Sequence, residues 1–200
     1  MSITRVVEWL LLAAGVGCLG AVLFQTLDAR LFQSGQTAAF ARAASQRPDD
    51  AAAAVAEASP APAFTPAVAP ATGALIGMLE IPRLQVSTPV VEGDDAATLN
   101  KAVGHLPDTP LPWQPGNSAV AAHRDGLFRP LERIRVGDEI VVKTTDAALR
   151  YRVAATSIVA PDDLSVLDRR GRDTLTLITC YPFRYVGNAP KRFIVHAERE

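Results

Sequence analysis

A chain of 200 residues has room for one ordinary domain plus accessories. Its net charge of −1, with acids and bases intermixed, supplies no basic field of the kind a phosphate backbone selects, so nucleic acid is excluded as a partner. The apolar share of 48% is high for a polar-surfaced domain, and much of it sits in the first quarter of the chain.

Residues 6–24 read VVEWLLLAAGVGCLGAVLF, interrupted by one ionisable residue, Glu8, near the start. A run of about 20 apolar residues crosses the hydrocarbon core as a helix, and Trp9 fits an interfacial anchor. A cleaved signal peptide would want a stronger basic region than Arg5 alone and a clearer small-x-small cleavage site. A lipoprotein reading at Cys18 fails because Gly15, three residues earlier, is not a branched aliphatic. Residues 1–27 are therefore read as a retained membrane anchor.

Residues 28–71 are rich in Ala, Pro and Ser, with stretches such as AAAAVAEASPAPAFTPAVAPA. Recurrent proline favours extended backbone and removes hydrogen-bond donors, so this part is read as a disordered stalk.

From Leu75 onward short strand-like runs alternate with Gly, Pro and Asp, the texture of a small all-β barrel or sandwich. The pattern predicts strands at 77–81, 86–91, 118–122, 138–144, 149–159, 174–179 and 192–197. It also predicts one helix, with Asp94 or Asp95 as N-cap, Leu99, Ala102 and Val103 on one face and Gly104 as its stop. A second short turn is expected over 127–134.

Two cysteines lie far apart, Cys18 inside the apolar run and Cys180 near the end, so they do not pair. An unpaired thiol outside the cytoplasm asks for an explanation, and catalysis is one. Alternation in TLTLITC (174–180) puts Thr176, Ile178 and Cys180 on one strand face and leaves Cys180 at a strand end, where side chains meet substrates. The bland alternative is a small buried hydrophobe.

A catalytic thiol needs a base or a cationic neighbour. Of His105, His123 and His196, His123 is best placed, where the strand 118–122 opens into a turn. His105 reads as following a helix stop in a loop, His196 as lying near the chain end, and a surface histidine is the plain reading of each. The HRD tripeptide at His123 is not a kinase catalytic loop, since Pro130 stands where that pattern needs asparagine. Acyl transfer also needs donors aimed at an oxyanion. Arg192, opening the last predicted strand, would stand beside Cys180 if strands 174–179 and 192–197 pair as a hairpin; Arg184 and Lys191 compete for the role.

Together these residues resemble the sortase family. TLITC (176–180) is similar to that family's TLxTC motif, AAHRD (121–125) to its histidine segment and KRFIV (191–195) to its closing strand. EIPRL (80–84), the pair Gly104-His105 and PGN (115–117) extend the resemblance, and CYPFRYVGNAPKRF (180–193) is similar to the class D branch. One departure is Ala122, where many relatives carry glycine.

The resemblance implies a closed eight-stranded β-barrel over 72–200 and a cysteine transpeptidase. Cys180 would be its nucleophile, His123 its acid/base and Arg192 its oxyanion donor. It implies a protein substrate with an LPxTG-like C-terminal sorting signal and an amine acceptor from a cell-wall precursor or a pilin lysine. It implies no cofactor and no metal for the chemical step; Glu92, Asp94 and Asp95 read as caps and solvated charges rather than a calcium site. Positive charge gives little orientation signal, and the family layout puts the barrel outside a single-pass anchor in the cell membrane. Two rivals stay open: another extracytoplasmic cysteine peptidase, and a non-catalytic membrane-tethered barrel.

Overall fold

The computed structural model describes residues 3–45, 69–169 and 171–200. Eight strands close into one barrel in the order β1-β2-β3-β4-β7-β8-β6-β5. They are β1 (Leu75–Ile81), β2 (Val86–Glu92), β3 (Val103–His105), β4 (Asn117–Ala121), β5 (Glu139–Lys143), β6 (Ala148–Val159), β7 (Thr174–Tyr181) and β8 (Lys191–Arg199). The pairs β2/β3 and β4/β7 are parallel and the rest antiparallel, with β1/β5 completing the closure. Among the described residues, closure leaves the barrel without an edge strand to template association.

Alternation explains the inside of the barrel. In β6, Leu149, Tyr151 and Val153 are buried while Ala148, Arg150 and Arg152 face out. Leu79, Ile81, Val120, Ile140, Leu175 and Leu177 meet them in a single core. Tyr151 keeps its hydroxyl satisfied by donating to the Pro112 carbonyl at 2.7 Å, and burial pushes its pKa up to about 12. β6 pairs with β5 through residues 148–152 and with β8 through residues 151–159, its register against β8 shifting at a bulge between Val153 and Ala155.

The seven predicted strands are all present; the eighth was hidden in the predicted helix. Helix α2 (Ala96–Leu99) is only four residues long, capped by the Asp95 carboxylate on the amides of Ala97 and Thr98. Ala102 and Val103 do not continue it, because they are wholly buried and Val103 pairs with Val90 of β2. Gly104 is therefore not a helix stop. A Cβ there would lie 2.2 Å from the Gly93 carbonyl oxygen, so glycine serves close backbone approach. Glu92, expected as a solvated charge, is buried in the same parallel pair. A 3-10 turn at Arg129–Arg133 occupies the turn expected over 127–134.

The first helix, α1 (Ile3–Ser45), extends well past the predicted anchor. It holds a stretch long and apolar enough to cross a membrane, and Trp9, Leu11, Leu19 and Phe24 are exposed along it. Residues 28–45, expected as stalk, continue this helix and touch the barrel. Lys101 pairs with Asp28 at 2.8 Å and lies over the Phe32 ring, and Gln33 donates to the Lys101 carbonyl. The rest of the predicted stalk, 46–68, lies outside the described residues.

Candidate active site

Topology puts three strand ends on one rim of the barrel. β4 and β7 run parallel, with Ala121 opposite Ile178, so both point the same way where β4 ends. Ala122 and His123 follow β4, and Cys180 follows Ile178 by two residues. β8 returns antiparallel to β7 with Arg192 directly opposite Cys180, as the expected hairpin requires.

Cys180, His123 and Arg192 line one cavity of about 370 Å³. The thiol is unpaired and half-buried, the imidazole exposed, the guanidinium half-buried. Cys18 is also free, exposed on α1. Arg192 donates through Nη1 to the carbonyls of Lys191 at 3.1 Å and Ala189 at 3.4 Å. A guanidinium carries five N–H donors, so this leaves others to meet a charge developing in the cavity. The loop after β6 contributes Asp163, Leu164, Val166 and Leu167 to the lining of the same cavity.

The competing residues are elsewhere. Arg184 reaches Glu132 at 3.5 Å, and Lys191 is exposed opposite Tyr181; neither lines the cavity. His105 is not a surface residue. It is 1% exposed, with Nδ1 at 2.8 Å from Glu92 Oε2 and Nε2 at 3.0 Å from the Pro110 carbonyl. His196 is buried as well, its Nδ1 3.0 Å from Thr176 Oγ1.

Two side chains that hold this arrangement were not singled out in the sequence. Thr179, adjacent to Cys180, is buried and donates its hydroxyl to the Ala122 carbonyl at 2.8 Å, while the Ala122 amide reaches the Ile178 carbonyl at 3.3 Å. The residue before the thiol thus grips the residue before the imidazole. The methyl of Ala122, which the sequence marks as a departure, packs into the core. Arg124, next to His123, donates from Nη2 to the carbonyls of Tyr185 at 2.8 Å and Gly187 at 3.0 Å, with the Tyr185 ring 5.7 Å away. It ties the histidine segment to the loop between Cys180 and Arg192. Arg124 stands in the HRD tripeptide and the AAHRD segment, and neither pattern names its partners.

A thiol, an imidazole and a guanidinium around one cavity form a donor set suited to acyl transfer. Among the described residues no group of three His, Cys, Asp or Glu is placed to hold a metal ion.

Comparison with known proteins agrees with this topology. A family model described as a sortase domain matches residues 79–200. Sortase D of Bacillus subtilis (strain 168) is 34% identical over 199 residues, covering 98% of each chain. The solved structure of a Clostridium perfringens sortase D5 transpeptidase superposes with a TM-score of 0.60 at 28% identity, over 66% of this chain and 82% of that one. Sortase C-1 of Actinomyces oris gives 0.59 at 33% identity, over 63% and 72%.

Proposed function

The chain belongs to the sortase family of transpeptidases, and from that premise we propose that it cleaves an LPxTG-like C-terminal sorting signal through a thioacyl intermediate on Cys180. The observation that carries the reading is the single cavity lined by Cys180, His123 and Arg192.

In the proposed cycle the Cys180 thiolate attacks the scissile carbonyl carbon, and the oxygen takes the negative charge beside the Arg192 guanidinium. The C–N bond then breaks, the departing amine takes a proton from the His123 imidazolium, and the acyl group stays on sulfur as a thioester. An incoming amine attacks the thioester and gives its proton to His123. A new amide bond forms and the thiolate–imidazolium pair is restored. The acceptor amine comes from a cell-wall precursor or a pilin lysine. Water in place of the amine would give hydrolysis by the same route.

The apolar helix α1 supports a single-pass anchor in the cell membrane, with the barrel on the extracytoplasmic side. No nucleic acid takes part.

Intact-mass measurement of the detergent-solubilised chain, incubated with a set of LPxTG-like peptides, tests the reading. A peptide-sized adduct that needs Cys180 and is released by hydroxylamine is the expected result. No adduct with any peptide, and a thiol inert to small alkylating reagents in the folded chain, would point instead to a non-catalytic barrel.

A further inference from the structure

The loop joining β6 to β7 forms one wall of the Cys180 cavity, yet it lies outside the barrel's ladder of strand hydrogen bonds. Within it a 3-10 turn, Leu164–Leu167, is capped at its start by Asp163, whose carboxylate accepts from the Ser165 amide and hydroxyl. Such a short turn leaves its last carbonyls without partners of their own. One side chain from the barrel takes two carbonyls at this end. Asn117 Nδ2 donates to the Val166 carbonyl at 3.0 Å and to the Asp168 carbonyl at 3.2 Å.

Those two bonds fix the rest of a buried chain. With both amide hydrogens committed, Asn117 Oδ1 is an acceptor, and it accepts the Thr176 hydroxyl at 2.7 Å. The hydroxyl's one proton is then used, so the contact of 3.0 Å between Thr176 Oγ1 and His196 Nδ1 has the imidazole as donor. Polarity runs one way: His196 on β8 to Thr176 on β7, Thr176 to Asn117 on β4, and Asn117 to the carbonyls of the cavity wall. Asn117 is 1% exposed, Thr176 0% and His196 4%, so water does not compete along this route.

We propose that Asn117 is a positioning residue for catalysis, holding the 164–167 turn as the wall of the Cys180 cavity, with Thr176 and His196 fixing the orientation of its amide. The turn brings Leu164, which is 71% exposed, and Val166 and Leu167 to the cavity. A wall held at its carbonyls presents these apolar side chains in one arrangement to an entering peptide. Released, the wall samples several arrangements, and binding rather than bond-making suffers. The inference deepens the proposed peptide-cleaving function and rests on it for its kinetic arm.

The test uses the full chain in detergent with two near-isosteric variants. Asn117→Asp removes both donors and sets carboxylate oxygens against the two carbonyls. Thr176→Val removes only the hydroxyl behind Asn117. Four quantities are read: amide hydrogen exchange across 164–168, the rate of Cys180 alkylation by iodoacetamide, and KM and kcat for a peptide that acylates the parent. Asn117→Asp is expected to speed exchange across 164–168 about tenfold or more, with Thr176→Val in between. Alkylation should stay within about twofold, while KM rises about tenfold and kcat falls by less than about threefold. Unchanged exchange at 164–168 in both variants overturns the proposal, as does an equal fall in kcat, kcat/KM and alkylation rate. If Asn117→Asp does not fold, Thr176→Val carries the same outcomes. A parent that acylates with no peptide overturns the proposed function and the kinetic arm, while exchange and alkylation still decide whether Asn117 holds the wall.

Discussion

Cys180 and Arg192 stand directly opposite each other in the ladder between β7 and β8. Cross-strand neighbours lie about 4.5–5.5 Å apart at Cβ, so the barrel itself, rather than a flexible loop, sets the spacing of thiol and guanidinium. Replacing Cys180, His123 or Arg192 by alanine should each lower turnover by about 10³-fold or more with the far-ultraviolet circular dichroism unchanged, and double variants should lose little beyond the worst single one. Arg192→Lys should recover only a small part, because an ammonium lacks the planar fork of donors. A folded His123→Ala chain with near-normal turnover would remove the acid/base assignment.

Thr179 links the two halves of this rim. Thr179→Val keeps the branched shape but leaves the Ala122 carbonyl without its 2.8 Å donor in a buried site. Such an orphaned acceptor costs about 1–3 kcal/mol, which urea titration should register. His123 follows the released residue, so kcat should fall about tenfold while alkylation of Cys180 by a small reagent stays near the parent rate.

His105 and His123 offer a direct contrast. The His105 ring is buried against Glu92 and the Pro110 carbonyl and does not line the cavity. Removing the imidazole leaves the buried Glu92 carboxyl without that partner, at a cost of about 1–3 kcal/mol. His105→Ala should therefore lower the unfolding midpoint sharply while the folded fraction keeps its turnover. His123→Ala, exposed at a strand end, should do the reverse. Thermal melts and active-fraction-corrected rates on both variants separate the two roles, and equal loss of activity in both would defeat the distinction.

The parts of this fold that were legible in the sequence are those written in local pattern. Alternation in TLTLITC marked β7, and the apolar run in RFIVHA marked the strand that pairs with it. Strand β3 was not legible because it is three residues long and borrows its burial from β2; Ala102 and Val103 also suit a helix face. The same pairing buries Glu92 and His105, so two groups that look solvated in sequence are interior. Residues 28–45 read as stalk because Ala and polar residues carry no strong periodicity, and their helix gains contacts from Lys101 far along the chain. Asn117 stands in the PGN segment, but its partners at 166, 168 and 176 lie some fifty to sixty residues on, beyond any spacing rule.

Arg124 predicts a different kind of defect. Its guanidinium holds the Tyr185 and Gly187 carbonyls, and the loop they belong to connects Cys180 with Arg192. Val186, between them, is almost fully exposed, so little packing replaces the clamp if it is lost. Arg124→Ala should raise proteolytic nicking and hydrogen exchange across 182–190 and raise KM about three- to tenfold, with a smaller change in kcat. Arg124→Lys should restore it only in part, since both carbonyls accept from the one Nη2 nitrogen, which a shorter ammonium must reach, and the contact with the Tyr185 ring is not reproduced.

The ion pair between Arg83 and Asp138 gives the barrel an acid-sensitive fastening. Arg83, in the EIPRL segment after β1, donates through Nε and Nη2 to both carboxylate oxygens of Asp138 just before β5, and the Arg135 amide adds a third donor. The Arg83 hydrogen bonds hold the Asp138 carboxyl below its usual range, burial opposing them and the Arg135 amide adding to them. A carboxyl that binds its proton less readily in the folded chain stabilises that chain wherever the unfolded aspartate, near pH 3.9, is already ionised. The contribution is therefore complete at neutral pH and fades as the pH falls below about 4 through the folded value. Asp138→Asn should lower the thermal midpoint at pH 7, and the gap to the parent should narrow progressively as the pH falls below about 4. Melts of both chains across that window check it, and a gap independent of pH would show that Asp138 acts through hydrogen-bond geometry and not through its charge.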